Sequence, residues 1–442
     1  MLATLASLVI SATPAVSIPF ERYTLPNGLT VILHEDHRLP TVTVNVWYRV
    51  GSADEAKGRT GFAHLFEHLM FMGTKEVPNG QFNRLMEQAG GINNATTSED
   101  RTNYFEWGPS NLLETFLYLE ADRLAHLPDD MTKAKVDLQR DVVKNERRQS
   151  YENRPYGMMS IILSDAMFPA SHPYHHPVIG SHADLTAASV DDVKNFFKKN
   201  YVPANASLVI AGDFVAADAK KLVEKYFAPL ARVEAPVRAE LPIVELKAPV
   251  RLTQKDDVQA ERVYLAWLAP PSYARGDAEL ELLAIALGQG KSSRLEASLV
   301  RDQKLATGVS VALSRQRGQS VFLIDAVALE GHTGAELEKA LEAELEKLRA
   351  NPITAEELSR ARALVQVDKL SAIEQVFERA DLLNQLETEL GDPSLASWVL
   401  VDRFDAVSTS DVAEAVRRVL GKPRVTLTFV PKNVKAAKGG AK

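Results

Sequence analysis

Residues 188–211 (ASVDDVKNFFKKNYVPANASLVIA) and 407–430 (VSTSDVAEAVRRVLGKPRVTLTFV) trace one pattern twice, an amphipathic helix followed at the same distance by an apolar strand. Ser189 falls on Ser408, Asp192 on Asp411 and Val193 on Val412. Upstream, MTKAKVDLQRDVVKNER and ITAEELSRARALVQVDK match in the same order, placing Arg140 on Arg362, Val143 on Val365 and Glu146 on Asp368. Two matches in one order mark an internal duplication rather than chance likeness of amphipathic helices. A chain of 442 residues also exceeds a single core of usual size. The sequence therefore predicts an α+β protein of two similar domains, each a mostly antiparallel sheet with packed helices. The domains are expected at 18–232 and 251–432, joined by a Pro- and charge-rich linker over 233–250. Residues 1–17 read as an apolar segment and 433–442 as a disordered tail.

Local pattern places the elements coarsely. LTVILHEDHRLPTVTVNVWYRVGSADE alternates apolar and polar residues about a turn-rich centre and reads as a strand pair. INNATTSEDRTNYFEWG has the Thr, Asn and aromatic content of a second pair. A helix is expected over 61–72 and another at NGQFNRLMEQAGG, closed by Gly90-Gly91. NLLETFLYLEADRLAHL and TKAKVDLQRDVVKNERRQS show helical spacing.

The helix over 61–72, GFAHLFEHLMFM, carries His64, Glu67 and His68 in an otherwise apolar run, although each costs free energy to bury unpaired. On a helix, residues four apart lie one turn and about 40° from each other, so both imidazoles can reach one ion. Glu67 flanks the same face and can reach a water on that ion. The order H-x-x-E-H is the inverzincin pattern. The chain has no cysteine, so thiolate catalysis, disulfides and thiolate-bound metal are excluded. A metal must be held by His, Asp or Glu, and zinc suits neutral imidazole with three protein ligands. Glu146 is the candidate third ligand, expected to point inward with Val142 and Val143 while Arg140 lies to one side. In the second half Glu146 is matched by Asp368, and His64 and His68 by Glu279 and Leu283. Only one half carries a full ligand set.

Other candidates read as structure. Prolines among His172, His175 and His176 in SHPYHHPVIG force an irregular loop. His34 and His37 flank a turn and are expected in solvent. GQGKSS lacks the spacing of a phosphate loop, and AELEKALEAELEKLRA is a solvated helix face. A net charge of −7 without a long basic run gives no nucleic-acid-binding face.

The stretches HLFEHLMFMGT, GGINNATTSEDRTNYFE, RDVVKNERRQSYENRPYG, HPYHHPVIG and GQGKSSRLEASLVRDQ resemble the insulinase/pitrilysin family of zinc metallopeptidases. The likeness is to the bacterial branch similar to mitochondrial processing peptidase, and it covers nearly everything after residue 18. The resemblance implies one zinc ion per chain held by His64, His68 and Glu146, with Glu67 as general base. It implies peptide substrates bound extended, as an added strand on INNATTS, with Asn94 and Ala95 as backbone contacts. Two positions depart from the family pattern. Gln139 stands where many members have a second glutamate, an amide that can orient a ligand but not compensate charge. In the second half Arg301 fits a substrate-contacting arginine, but Gly308 occupies the place of its tyrosine. The resemblance thus implies a homologous partner that completes the site in a heterodimer. A self-sufficient homodimeric peptidase and a non-catalytic core-type subunit are the alternatives.

Residues 1–17 also have the apolar core and small-residue end of a secretory signal, without its charged start, which predicts a periplasmic or secreted protein. Without such a signal the protein would be cytoplasmic. No later run has the ~20 apolar residues of a membrane span.

Overall fold

The computed structural model describes residues 16–238 and 240–432. The expected signal, apart from its last two residues, and the expected tail at 433–442 lie outside them. Among the described residues no helix is long and apolar enough to cross a membrane.

Among the described residues eleven strands form two sheets. The first contains β1 (Glu21–Thr24), β2 (Thr30–Glu35), β3 (Thr41–Tyr48), β4 (Ile92–Thr97), β5 (Thr102–Pro109) and β6 (Ala206–Gly212), in the order β1-β2-β6-β3-β5-β4. The second contains β7 (Val250–Asp256), β8 (Arg262–Ala269), β9 (Ala306–Ser314), β10 (Ser320–Ala328) and β11 (Val425–Pro431), in the order β7-β11-β8-β10-β9. Apart from β1 the orders are the same, with one parallel contact in each, β2 on β6 and β7 on β11. The fold is α+β, duplicated and mostly antiparallel.

The helices of the first half are α1 (Phe62–Leu69), α2 (Gln81–Ala89), α3 (Leu113–His126), α4 (Lys133–Arg147), α5 (Met159–Met167), α6 (His182–Ala187), α7 (Val190–Asn200) and α8 (Ala216–Phe227). Those of the second are α9 (Asp277–Gly288), α10 (Gly334–Ala350), α11 (Ala355–Ala372), α12 (Val376–Gln385), α13 (Arg403–Asp405) and α14 (Thr409–Ala415). The repeat is visible in its details. Ser189 and Ser408 cap α7 and α14 by accepting from the N–H of Asp192 and Asp411, and each aspartate returns a bond to its serine. Arg140 donates to the carbonyl of Ala188 and Arg362 to that of Val407, both at 2.8 Å, just ahead of those caps.

One expectation about pairing fails. β2 and β3 both form, but they are not a hairpin, because β6 lies between them, parallel to β2 and antiparallel to β3. Alternation of apolar residues selects the buried faces of a strand but says nothing about its lateral neighbour.

The central strands of both sheets are buried on both faces, and the halves exchange helices to achieve it. In the first sheet Val31, Leu33, Leu208 and Ile210 face a core shared with α1, α3, α7 and α8. Ile32, Val209 and Ala211 face the opposite way, onto Ala380, Leu383 and Leu386 of the second half. In the second sheet Val263, Leu265 and Trp267 face α9, α10 and α11. Tyr264, Ala266, Leu427 and Phe429 are covered by Leu163, Met167 and Phe168, from and just after α5 of the first half. His34, expected in solvent, is buried by this exchange; its Nδ1 meets the Pro19 carbonyl and its Nε2 accepts from Arg379 Nε at 3.0 Å. Burial pushes its imidazole below the ordinary value. His37 is exposed, beside Asp213.

Candidate metal centre

Helix α1 begins at Gly61, whose φ of +86° is a left-handed conformation that glycine adopts without strain. A Cβ on Gly61 would lie 2.9 Å from the Cα of Gly180, so the helix start can sit against that loop only as glycine. Glu55 is fully buried and accepts from the N–H groups of Gly61 and Ala63 at 2.9 and 2.8 Å, serving donors that a helix start leaves free. His176 contacts the same carboxylate at 3.0 Å, and Arg147 at the end of α4 donates to the Gly180 carbonyl. The HPYHHPVIG loop therefore ties the start of α1 to the end of α4. Its three rings go to separate partners: His172 to Tyr174 and Pro242, His175 to Phe168, and His176 to Ser52 and Glu55.

This clamp sets the chemistry of α1. Phe62, Ala63, Leu65, Phe66 and Leu69 are buried, which turns His64, Glu67 and His68 toward the hollow beneath α4. His64 Nε2 and His68 Nε2 lie 3.7 and 3.3 Å from Glu146 Oε2. One ligand atom from each of the three residues falls within 4.8 Å of the others. Burial, reinforced by the adjacent His68, pushes the His64 imidazole down to about 4, leaving it neutral at physiological pH. His68 holds the Glu146 carboxyl below its usual range against the opposing effect of burial. Burial raises the Glu67 carboxyl, and the hydrogen bond from Thr97 opposes the rise.

The donor set fits zinc: two imidazoles and a carboxylate, the three protein ligands of a catalytic zinc site. His64 Nδ1 is buried without a hydrogen-bond partner. Leaving a buried polar atom unmade costs about 1–3 kcal/mol. That atom is the ring nitrogen turned away from Glu146, since Nε2 is the one that faces it, so the fit to zinc rests on the donor set itself. Val143 is buried beneath α4 as expected, but Val142 is 40% exposed on the same side of the helix as Glu146.

The other sequence candidates divide. Asn94 and Ala95 lie on β4, which pairs with β5 on one side only and is the open edge of the first sheet. Asn94 Oδ1 accepts from the N–H of Ala95 at 2.9 Å. Helix α1 packs against this strand. Gln139 does not orient a ligand; its amide donates to Met72 Sδ. Arg301 is exposed after α9, and Gly308 lies on β9, the edge of the second sheet.

The pairing of Glu279 and Leu283 with the two histidines is displaced by two residues. Leu283 is wholly buried in the second core, while Glu281, Ala284 and Ile285 line a hollow of about 170 Å³ with Asp368. Residues 281, 284 and 285 repeat the spacing of 64, 67 and 68. The helical period admits several offsets, and only the packing on α11 and β9 selects one. Sequence reasoning missed Thr97 and Glu55, while His176 was read as part of a structural loop, where it lies. Thr97 was within reach, because it ends the strand beside α1 in the INNATTS stretch.

Comparison with known proteins agrees with this architecture. Residues 30–173 match the family model described as insulinase (peptidase family M16), and 187–365 match the peptidase M16 inactive domain. The zinc protease PqqE of Helicobacter pylori is 31% identical over 369 residues, 82% of this chain and 82% of the relative. The crystal structure of a protease from H. pylori superposes with a TM-score of 0.85 at 28% identity, covering 93% of this chain and 99% of that one. The periplasmic protease PqqL of Escherichia coli, 18% identical, has the same fold with a TM-score of 0.78 over 95% of this chain but only 48% of its own length.

Proposed function

The chain belongs to the insulinase family, peptidase family M16, and from that premise we propose that it is a zinc-dependent endopeptidase subunit acting on unfolded or short peptides. The observation that carries the reading is the convergence of His64, His68 and Glu146, with Glu67 on the same helix face and the open edge of β4 beside it. A zinc ion held by the three ligands would supply a Lewis acid for the scissile carbonyl and bring the pKa of a water toward ~7. The edge of β4, with Asn94 and Ala95, holds the peptide backbone extended. Glu67 accepts the proton of the attacking water as its oxygen bonds to the carbonyl carbon. It then gives that proton to the amine nitrogen as the carbon–nitrogen bond breaks.

A homologous partner completes the site. Support comes from the second half, which matches an inactive-domain model, keeps Arg301 but has Gly308 in the tyrosine position, and lacks the two histidines. The E. coli chain, of about twice this length, carries the fold over 48% of itself, which is consistent with two such lengths working together. A heterodimer is the arrangement proposed, with a homodimer or a non-catalytic core-type subunit as the alternatives. Residues 1–17 support export to the periplasm or beyond.

The decisive experiment separates ligand from base. The full chain should bind about one zinc, and with its homologous partner it should hydrolyse an unstructured peptide. Glu67→Gln should keep the zinc and lose about 10²–10⁴ in rate. Retention of more than a tenth of the activity would remove Glu67 from the role of base.

A further inference from the structure

We propose that Thr97 is a positioning residue that joins the strand receiving the peptide to the group receiving the proton; the inference rests on the peptidase reading above. Thr97 ends β4, and its hydroxyl donates to Glu67 Oε2 at 2.5 Å. The last torsion of a glutamate side chain is broad and roughly two-fold, so packing along the stem does not by itself fix the plane of the carboxylate. One strong bond to Oε2 does, and it leaves Oε1 to face the water.

The strand that delivers this hydroxyl is braced from behind. Arg101, in the turn after β4, donates to the Thr96 carbonyl at 3.0 Å and to the Thr96 hydroxyl, and its guanidinium lies 4.8 Å over the Trp47 ring. Asn103 Oδ1 accepts from the Thr96 hydroxyl at 2.6 Å and from Arg101 at 3.1 Å. The far side of Asn103 reaches the second half, where Asp381 Oδ1 on α12 accepts from Asn45, Trp47 and Asn103 at 2.9, 3.0 and 3.2 Å. Three donors on one oxygen tie β3 and β5 to the second half, and β4 is held to them through Asn103 and Thr96 while its other side pairs with no strand among the described residues. A peptide paired to that edge therefore acts on a strand whose terminal hydroxyl already holds the base. The strand that receives the peptide thus also carries, at its end, the residue that orients Glu67.

Such an interaction matters to the chemical step and not to peptide docking, so its loss should lower kcat and leave KM alone. The test uses the full chain with its homologous partner and a fluorogenic peptide. Thr97→Val, equal in shape but without the donor, should lower kcat about 10- to 100-fold, the range of a lost hydrogen bond to a charged group. KM should stay within about twofold and zinc at one per chain, and Thr97→Ser should recover most of the rate. Unchanged kcat in Thr97→Val, or equal losses in Thr97→Val and Thr97→Ser, would overturn the inference. A crystal structure of zinc-loaded Thr97→Val gives a readout independent of hydrolysis, with Glu67 expected to turn from its wild-type orientation. An unmoved Glu67 carboxylate would overturn the inference even if the wild-type chain cleaves nothing, an outcome that would separately end the peptidase reading.

Discussion

The two halves place the same hollow in the same frame and fill it differently. In the first, α1 lies between α4 and the edge strand β4, and the residues facing inward are His64, Glu67, His68 and Glu146. In the second, α9 lies between α11 and the edge strand β9, and the corresponding residues are Glu281, Ala284, Ile285 and Asp368. Here Glu281, together with Asp277, meets cations of the chain itself. Arg315 and Arg403 both bind Asp277 and Glu281, and Lys369 lies 3.3 Å from Glu281. Ile285 and Ala284 take the places of His68 and Glu67. The same frame forms with either filling, so the fold itself does not require His64, His68 and Glu146, in keeping with the metal-binding role proposed for them.

The largest effect that can break this comparison is loss of the metal. His68→Ala or Glu146→Gln should reduce zinc from about one per chain to a small fraction and remove hydrolysis, because two remaining ligands hold zinc poorly. Asp368→Asn, at the place matching Glu146, should change neither. Metal analysis by mass spectrometry decides it, and loss of zinc from Asp368→Asn would mean that the second hollow contributes to binding.

The next effect tests whether the repeat is mechanical. Arg140 and Arg362 each tie a helix to the carbonyl before a capped serine. Removing either by alanine should cost about 1–3 kcal/mol of unfolding free energy, the range for hydrogen bonds to charged groups. Denaturant melts should give similar losses for both. A large loss for one and none for the other would confine the equivalence to backbone shape.

A smaller effect distinguishes the halves by pH. Thr132 and Thr354 cap α4 and α11 at matching places, but the residue three further on is Lys135 in the first and Glu357 in the second. Hydrogen bonds from Arg294 hold the Glu357 carboxyl down to about 2, with Nε and Nη2 at 2.6 and 2.7 Å. A depressed carboxyl stabilises fully above its unfolded value of 4.5 and loses that contribution as pH falls toward 2. The stability difference between wild type and Glu357→Gln should therefore shrink across that window. A difference that stays constant from pH 5 to 2.5 would show that the pair is too solvent-screened to matter.

Much of this was legible in the sequence where the signal is local. His64, Glu67 and His68 share a face by helical period, Ser189 and Ser408 match in the repeat, and Glu146 stood out as the candidate third ligand on a second helix. What failed depends on contacts between distant segments. Strand β6, read correctly as a strand, inserts between β2 and β3 from more than 150 residues away in sequence. Helices α5 and α12 look amphipathic whichever sheet they cover, so their exchange between halves leaves no trace in periodicity. The burial of His34 follows from that exchange. The two-residue offset that placed Glu279 and Leu283 opposite the histidines arose because the three carboxylates of α9, Asp277, Glu279 and Glu281, are spaced by two and do not define one helical face that would set its rotation.

The smallest expected effect concerns Gly308. A Cβ built there meets nothing within 4 Å, and the residue is not in a left-handed conformation, so neither space nor backbone demands glycine. Gly308→Tyr should fold, with stability changed by about 0.5 kcal/mol or less, as for an unconstrained surface site. Its effect on rate tests which second half faces the zinc. A correctly aimed donor to the developing oxyanion is worth about 10²–10³ in rate. Catalytic groups must sit within about 0.5 Å of their productive place, and nothing near Gly308 has been shaped to hold a phenol there. The isolated chain should therefore gain about threefold or less, while an added homologue with the arginine and tyrosine should raise activity at least about tenfold in a one-to-one complex. A gain from Gly308→Tyr as large as that from the homologue would show that the chain's own second half completes its site. Full activity of the wild-type chain alone, unaffected by any homologue, would show that Gly308 is no deficiency and that the asymmetry between the halves ends at the metal.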